Sequence, residues 1–374
     1  MRATRAIIYL GNLRHNFYQI KKQVSNAKIL AAVKADAYGH GAVQIAKTLV
    51  QEGCDYLGVA TVQEAWELRQ AQIKIPILLL GIPMFDEISE ALNLDVTFVV
   101  SDLDMLNAIG DTSRGLSRSI PLHLKIDVGM GRLGVTLDQA AFLARAIKHY
   151  PHLFWEGVMT HFPSSDNSQL EPTRSQNQLF LDFVKFLGSE GVEPSLIHAA
   201  NSGAVLDHPD TYHSMVRPGI LLYGYPPSID HPSRKNFYPV MQLESRVVLI
   251  KKLKAGQTLS YGQTYSLKHD SNVGVVAIGY ADGYSRIFSN CAFVRIGKEL
   301  YQVSGRVCMD QFMIDLGNQT QVERWDQVVL FGPYANGPDA WDLAQLMKSI
   351  PYEVTCLVSK RVPRIYSEDS AYFS

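Results

Sequence analysis

Residues 29–61 read ILAAVKADAYGHGAVQIAKTLVQEGCDYLGVAT. The segment opens on a short apolar run, Ile29 to Val33, with no polar alternation, and the run ends at Lys34. Ala42, Ile45, Ala46, Leu49 and Val50 then recur at helix spacing, and a second apolar run follows from Tyr56 to Thr61. A strand without alternation is buried on both faces, as in a parallel sheet. Parallel neighbours need a crossover between them, and the helix supplies it.

The same beat continues outward. Strands are expected over Ile75 to Leu80, Val96 to Val100, Leu122 to Asp127, Phe154 to Thr160, Leu196 to Ala200 and Met215 to Arg217. Helical stripes separate them, such as Leu137, Ala140, Ala141, Ala144 and Ile147, or Leu179, Phe180, Phe183, Val184 and Leu187. An open doubly wound sheet would show a similar pattern, so the count decides. Eight βα units in about 225 residues predict a (β/α)8, TIM-like barrel, whose usual size is about 250 residues. Upstream, Leu13, Phe17 and Ile20 share one helical face.

Beyond Gly224 the texture changes. Tyr225 to Pro239 is rich in Pro, His and charge and reads as a linker. After it come β-branched runs, Val240 to Ile250, Val273 to Ile278, Ala292 to Ile296, Gln311 to Leu316 and Gln327 to Phe331. One late helix is expected, from Ala340 to Ile350. The predicted organisation is a barrel over 1–235 and a mainly β C-terminal domain over 236–374.

Composition narrows the function classes. The 374 residues are 47% apolar and 19% charged, close to an ordinary globular enzyme. Thirty-five Lys and Arg against 36 Asp and Glu leave a net charge of −1, without the basic excess of a nucleic-acid or membrane-surface protein. Cys54, Cys291, Cys308 and Cys356 form no C-x-x-C pair, so neither a disulfide framework nor a metal site is expected. The N-terminal apolar stretch is too short for a signal-peptide core, and the run Ile75 to Met84 is broken by Pro76 and Pro83. A cytoplasmic protein is the expectation.

In a barrel, chemistry sits where the strands end. Those ends carry Lys34, then Asp127 with Arg132 beyond it, His161, Asn201 with Ser202, and Arg217 with Gly219. Lys34 closes a buried strand, where desolvation lowers an amine's pKa toward Schiff-base chemistry; the ordinary alternative is a strand-end lysine reaching solvent. Gly129-Met130-Gly131-Arg132-Leu133-Gly134 matches G-x-G-x-x-G, and Glu156 falls near the spacing of a ribose-binding acid. A dinucleotide unit normally opens its domain, and Arg132 would stand where a pyrophosphate needs bare backbone. The better reading is a rim loop aiming Arg132 at a substrate carboxylate. Ser202 and Arg217-Pro218-Gly219-Ile220 follow strands seven and eight, where barrels tend to hold phosphate. Tyr261, Tyr280 and the turn Ser304 to Gln311 are polar punctuation among the later strands, ordinarily packing groups.

These residues together resemble the alanine racemases. The matching stretches are AAVKADAYGHGA from Ala31, KIDVGMGRLG from Lys125, THF from Thr160, HAANSG from His198 and VRPGILLYG from Val216. They continue as LSYGQTY from Leu259, IGYADGYSR from Ile278, SGRVCMDQFMIDLG from Ser304 and IPYEV from Ile350. They run in family order along essentially the whole chain. One departure is Pro163 after His161, where a small residue is common, and it puts the local loop shape in question.

The resemblance implies pyridoxal 5'-phosphate, held as an internal aldimine on Lys34, and racemisation of alanine by two bases. Lys34 would serve one face of the substrate Cα and Tyr261 the other, because a proton removed from one face must be replaced on the opposite one. Sequence alone does not single out Tyr261 among 18 tyrosines; the family does. His161 and Arg217 would supply its cationic surround, with His198 hydrogen-bonded to Arg217. Arg217 would face the pyridine nitrogen and disfavour its protonation, suiting racemisation over transamination. Tyr38, Ser202, Gly219, Ile220 and Tyr352 would hold the phosphate, and Arg132 with the Met309 backbone the substrate carboxylate. Lys125 is a carbamylation candidate behind Arg132. Tyr261, Tyr280 and Met309, with Asp310 in support, would reach the site from the second subunit of a homodimer. The activity implied supplies D-alanine for peptidoglycan precursors. The alternatives are a broader racemase acting on serine, a decarboxylase of the same architecture, and a non-enzymatic cofactor carrier.

Overall fold

The computed structural model describes residues 2–167, 169–334 and 337–372. The eight expected barrel strands all form. The N-terminal strand β1 (Arg5–Tyr9) lies outside the barrel, which is built from β2 (Lys28–Ala32), β3 (Tyr56–Val59), β4 (Ile77–Leu79), β5 (Val96–Val100), β6 (Ile120–Lys125), β7 (Leu153–Met159), β8 (Leu196–His198) and β9 (Met215–Val216). They hydrogen-bond in the order β8-β7-β6-β5-β4-β3-β2-β9, all parallel. Between β8 and β9 the ring is bridged by Ser214 N donating to Ile197 O at 3.1 Å and Arg217 N to Ala200 O at 2.8 Å.

Every residue of β3, β4 and β5 is buried, which explains why these strands show no alternation. The two faces nonetheless differ. Leu30, Tyr56, Leu78, Val99, Met159, Leu196 and Met215 form a separate cluster inside the barrel. Their neighbours Ala31, Leu57, Ile77, Leu79 and Phe98 belong to the larger core under the helices. The barrel is therefore a packed core whose free rim is available for chemistry.

The second sheet is organised by β10 (Met241–Leu253), which pairs with β1, Gln327–Phe331 and Ser271–Val276, antiparallel in each case. Two elements differ from the sequence reading. The sequence pattern marks no strand at Arg5–Tyr9, yet it sits between β10 and the parallel strand Arg364–Ser367. Both partners lie more than 200 residues away, so no local pattern marks it. The late helical region is two helices, Ala340–Met347 and Pro351–Leu357. Asp339 caps the first by accepting from Trp341 N and Asp342 N, and Lys348 ends it at φ 53°, leaving Pro351 to open the next.

Candidate active site

Lys34 leaves β2 directly into an unusual backbone. Ala35, Asp36, Ala37 and Tyr38 all lie at φ between 52° and 54°, one turn of left-handed helix. Each non-glycine residue there costs about 1–2 kcal/mol, so the surroundings must impose the turn. Glu64 accepts Ala35 N and Ala60 N, both at 2.7 Å. Asp36 accepts Ala42 N at 2.7 Å and caps the following helix. His40 Nδ1 lies 2.9 Å from Ala37 O and 3.0 Å from Tyr38 O and donates to both. Sequence reading located the turn but missed its hand, and it missed Glu64, whose signal was Thr61-x-x-Glu64 ahead of an apolar run.

The glycine-rich loop is closed on itself. Asp127 Oδ1 accepts Gly129 N at 2.9 Å and Met130 N at 2.8 Å, and Oδ2 accepts Gly131 N at 2.9 Å. The amides a pyrophosphate would need are occupied by a carboxylate. The loop instead carries Arg132 onto the rim, as the reading that set the dinucleotide motif aside requires.

On the far side of the rim, Arg217 is buried and held in a fixed plane. Its Nη2 donates to Thr160 O at 2.6 Å and Ala199 O at 3.0 Å, and its Nη1 to His198 Nδ1 at 3.1 Å. Burial lowers its pKa to about 9, still charged at neutral pH. Beside it, the Ser202 hydroxyl accepts Gly219 N at 2.9 Å and Leu221 N at 3.4 Å. Its own hydrogen meets no acceptor among the described residues, so it is free to donate into the pocket. A Cβ on Gly219 would clash with the Tyr38 hydroxyl. Burial raises the phenols of Tyr38 and Tyr352, whose rings lie 5.8 Å apart, and keeps them as hydrogen-bond donors.

These groups share one cavity of about 450 Å³, lined among others by Lys34, Tyr38, Lys125, Arg132, His161, Ser202, Arg217, Gly219, Ile220 and Tyr352. Burial and the charge of Arg132 lower the Lys34 amine. Burial with Arg217 and Arg132 brings Lys125 to about 7. Burial with Arg217 and Lys125 drives His161 to about 2, so it is a neutral imidazole and not the cation expected beside a tyrosinate. His198 stands behind Arg217, out of the cavity lining.

Four residues named from sequence lie elsewhere. Tyr261 is 71% exposed, and Met309 and Tyr280 are also exposed. Tyr261 projects from a strained turn in which Ser260 has φ 65° and ψ −178°, a region nearly reserved for glycine. The Ser260 hydroxyl donates to Arg306 O at 2.6 Å and helps hold that turn. Tyr280 N donates to Cys308 O and Ala281 N to Met309 O, both at 3.1 Å, so these two loops are held together. Asp310 is paired with Arg361 at 2.8 Å.

The rim's order of groups along the chain has a match. Residues 8–227 match the family model described as "Alanine racemase, N-terminal domain", and residues 240–366 its C-terminal domain. The chain belongs to the alanine racemase family. It is 44% identical to the alanine racemase of Treponema denticola, over 99% of this chain and 100% of that protein. Among solved structures, the alanine racemase of Clostridium difficile 630 superposes with a TM-score of 0.94 at 37% identity, covering 98% of this chain and 96% of that one. The alanine racemase of Bacillus anthracis with bound L-Ala-P gives 0.92 at 33% identity, covering 98% and 95%. Family members are generally pyridoxal-phosphate enzymes. No helix among the described residues is long and apolar enough to cross a membrane.

Proposed function

We propose that this enzyme interconverts L-alanine and D-alanine with pyridoxal 5'-phosphate, held covalently by Lys34, in a homodimer. The observation that carries the reading is the single cavity joining Lys34, Arg132, Arg217 and the Ser202–Gly219 pair. The residues present fit the cofactor. Ser202 offers a free O–H, Tyr38 and Tyr352 stay protonated donors, and the bare backbone of Gly219 lets the Tyr38 hydroxyl stand close beside it, while Arg217 is a fixed cation that would hold the cofactor ring. When bound, the cofactor supplies an electron sink that acidifies the Cα–H of an attached amino acid.

The chain's own groups do the rest. Arg132 offers a planar fork to the substrate carboxylate and keeps that group in place, which favours racemisation over decarboxylation. Lys34 Nζ, lowered by burial, takes or returns the Cα proton on one face. Tyr261 of a second copy does the same on the other; its exposure on a held-out turn supports a role across an interface. Arg217, a donor with no lone pair to offer, would hold the cofactor's ring nitrogen and disfavour its protonation, which suits racemisation over transamination.

The decisive experiment incubates the loaded enzyme with L-alanine in deuterated water. Deuterium at Cα in D-alanine without release of carbon dioxide is expected. Carbon dioxide would make it a decarboxylase, and bound cofactor without turnover would make it a carrier. L-serine run in parallel measures how strictly alanine is preferred.

A further inference from the structure

A chain of polar groups leaves the active site and crosses the barrel interior. Arg217 Nη1 lies 3.1 Å from His198 Nδ1, and His198 Nε2 lies 2.8 Å from His123 Nδ1. His123 Nε2 lies 3.2 Å from Glu156 Oε2, and Glu156 Oε1 accepts the Tyr56 hydroxyl at 3.0 Å. The direction of every bond follows from one end. A guanidinium N–H only donates, so His198 Nδ1 accepts and its proton sits on Nε2. That N–H donates to His123, whose proton is therefore also on Nε2 and is donated to Glu156. All four ring nitrogens are used, and both imidazoles are fully buried. Burial lowers the pKa of each, so they remain neutral links.

The route is built into the strands. His123, Glu156 and His198 stand on the adjacent strands β6, β7 and β8, and His123 is in register with Gly157. A Cβ on Gly157 would lie 2.8 Å from three atoms of the His123 ring, so the bare backbone there admits the imidazole. Arg217 has no carboxylate within ion-pair distance among the described residues; the cavity lining it shares holds the cations Lys34, Lys125 and Arg132, with the carboxylate of Asp166 also in the lining. Glu156 is the carboxylate on which the hydrogen-bonded chain from Arg217 ends.

We propose that Glu156 and His123 are positioning residues for Arg217: through His198 they fix the plane of its guanidinium. The proposal rests on the reading that Arg217 faces the cofactor ring. A buried polar chain is stabilising only when each member is satisfied, so a cut at the far end should be felt at the near one. Glu156→Leu removes the terminal acceptor and leaves the His123 Nε2–H unsatisfied, which loosens the chain behind Arg217.

Nitrogen-15 spectroscopy of the histidine rings reads the chain directly, with or without cofactor. The Nε2–H tautomer at both His123 and His198 is expected; an Nδ1–H tautomer at either overturns the proposal. In Glu156→Leu the His123 Nε2 resonance should shift as its acceptor is lost, the visible absorbance of bound pyridoxal phosphate should shift, and kcat should fall about 10- to 100-fold, the range seen when supporting groups behind ligands are lost. Glu156→Gln keeps an acceptor oxygen and should restore most of both. If Glu156→Leu does not fold, His123→Phe cuts the same chain with a ring of similar shape and should give the same spectral shift. A folded variant with unaltered absorbance and kcat overturns the proposal. Arg217→Lys separates the two readings: an unaltered spectrum in that variant would count against Arg217 facing the ring, whereas a shift there without one in the Glu156 variants would count against the relay alone.

Discussion

The carboxylate of Asp127 accepts the backbone N–H of Met130 at 2.8 Å. With Gly129 and Gly131 also bonded to it, a flexible glycine sequence becomes a fixed platform two residues before Arg132. In this dinucleotide-like motif the amides that a pyrophosphate would need already have an anion, the Asp127 carboxylate.

Asp127→Ala should therefore act on substrate binding more than on the chemical step. Three amides lose a charged acceptor at a partly solvated site, and charge-assisted bonds contribute about 1.5–3 kcal/mol each when fully buried. A rise in KM of about tenfold with a smaller change in kcat is expected from steady-state kinetics in both directions. A fall confined to kcat would mean that the loop does not set the Arg132 position.

The left-handed turn after Lys34 gives a prediction opposite to helix propensity. Ala35 is exposed and sits at φ 52°, where glycine carries no steric penalty. Ala35→Gly relieves about 1 kcal/mol of backbone strain and adds a smaller cost from the more flexible unfolded chain. The variant should be as stable as the parent or slightly more so in denaturant titration. A loss of about 1 kcal/mol, normal for a right-handed helix, would contradict the assigned backbone.

Lys125 makes stability depend on alkaline pH. Its pKa falls from 10.5 to about 7 on folding. Between those values the unfolded chain binds the additional proton, so the stability of the folded state rises with pH. The slope from this residue is at most about 1.4 kcal/mol per pH unit. Below about pH 7 both states are protonated and the slope vanishes. Denaturant titrations in carbon-dioxide-free buffer should show the wild type gaining on Lys125→Met between pH 7 and 10; parallel curves would place the lysine in solvent. With bicarbonate-13 carbon present, the same neutral amine should form a carbamate whose signal grows from pH 6 to 8.

If Tyr261 serves the cavity of a second copy, two dead variants should rescue each other. Lys34→Ala and Tyr261→Phe are each expected to lose at least 100-fold in kcat, as removal of a general acid or base does. Refolded together, mixed dimers would contain one site with both bases, and activity should return to about a quarter of wild type, since half the dimers are mixed and each holds one intact site. No recovery in a confirmed mixed dimer would confine Tyr261 to its own chain.

The sequence by itself determined the barrel and the identity of its rim. Eight apolar runs at helix-separated intervals admit few other topologies, and a strand end is a local feature, so Lys34, His161, Ser202 and Arg217 could be named before any contact was known. Strand β1, the hand of the turn at Ala35–Tyr38, and the span from Arg217 to Glu156 were decided only in three dimensions. Each depends on partners distant in sequence: β1 on β10 and Arg364–Ser367, the turn on Glu64, the span on His198 meeting Arg217 on one side and His123 on the other. Periodicity reports which face of an element is buried. It carries no record of which polar atom will meet which, and in this enzyme those meetings orient the groups that the sequence had already supplied.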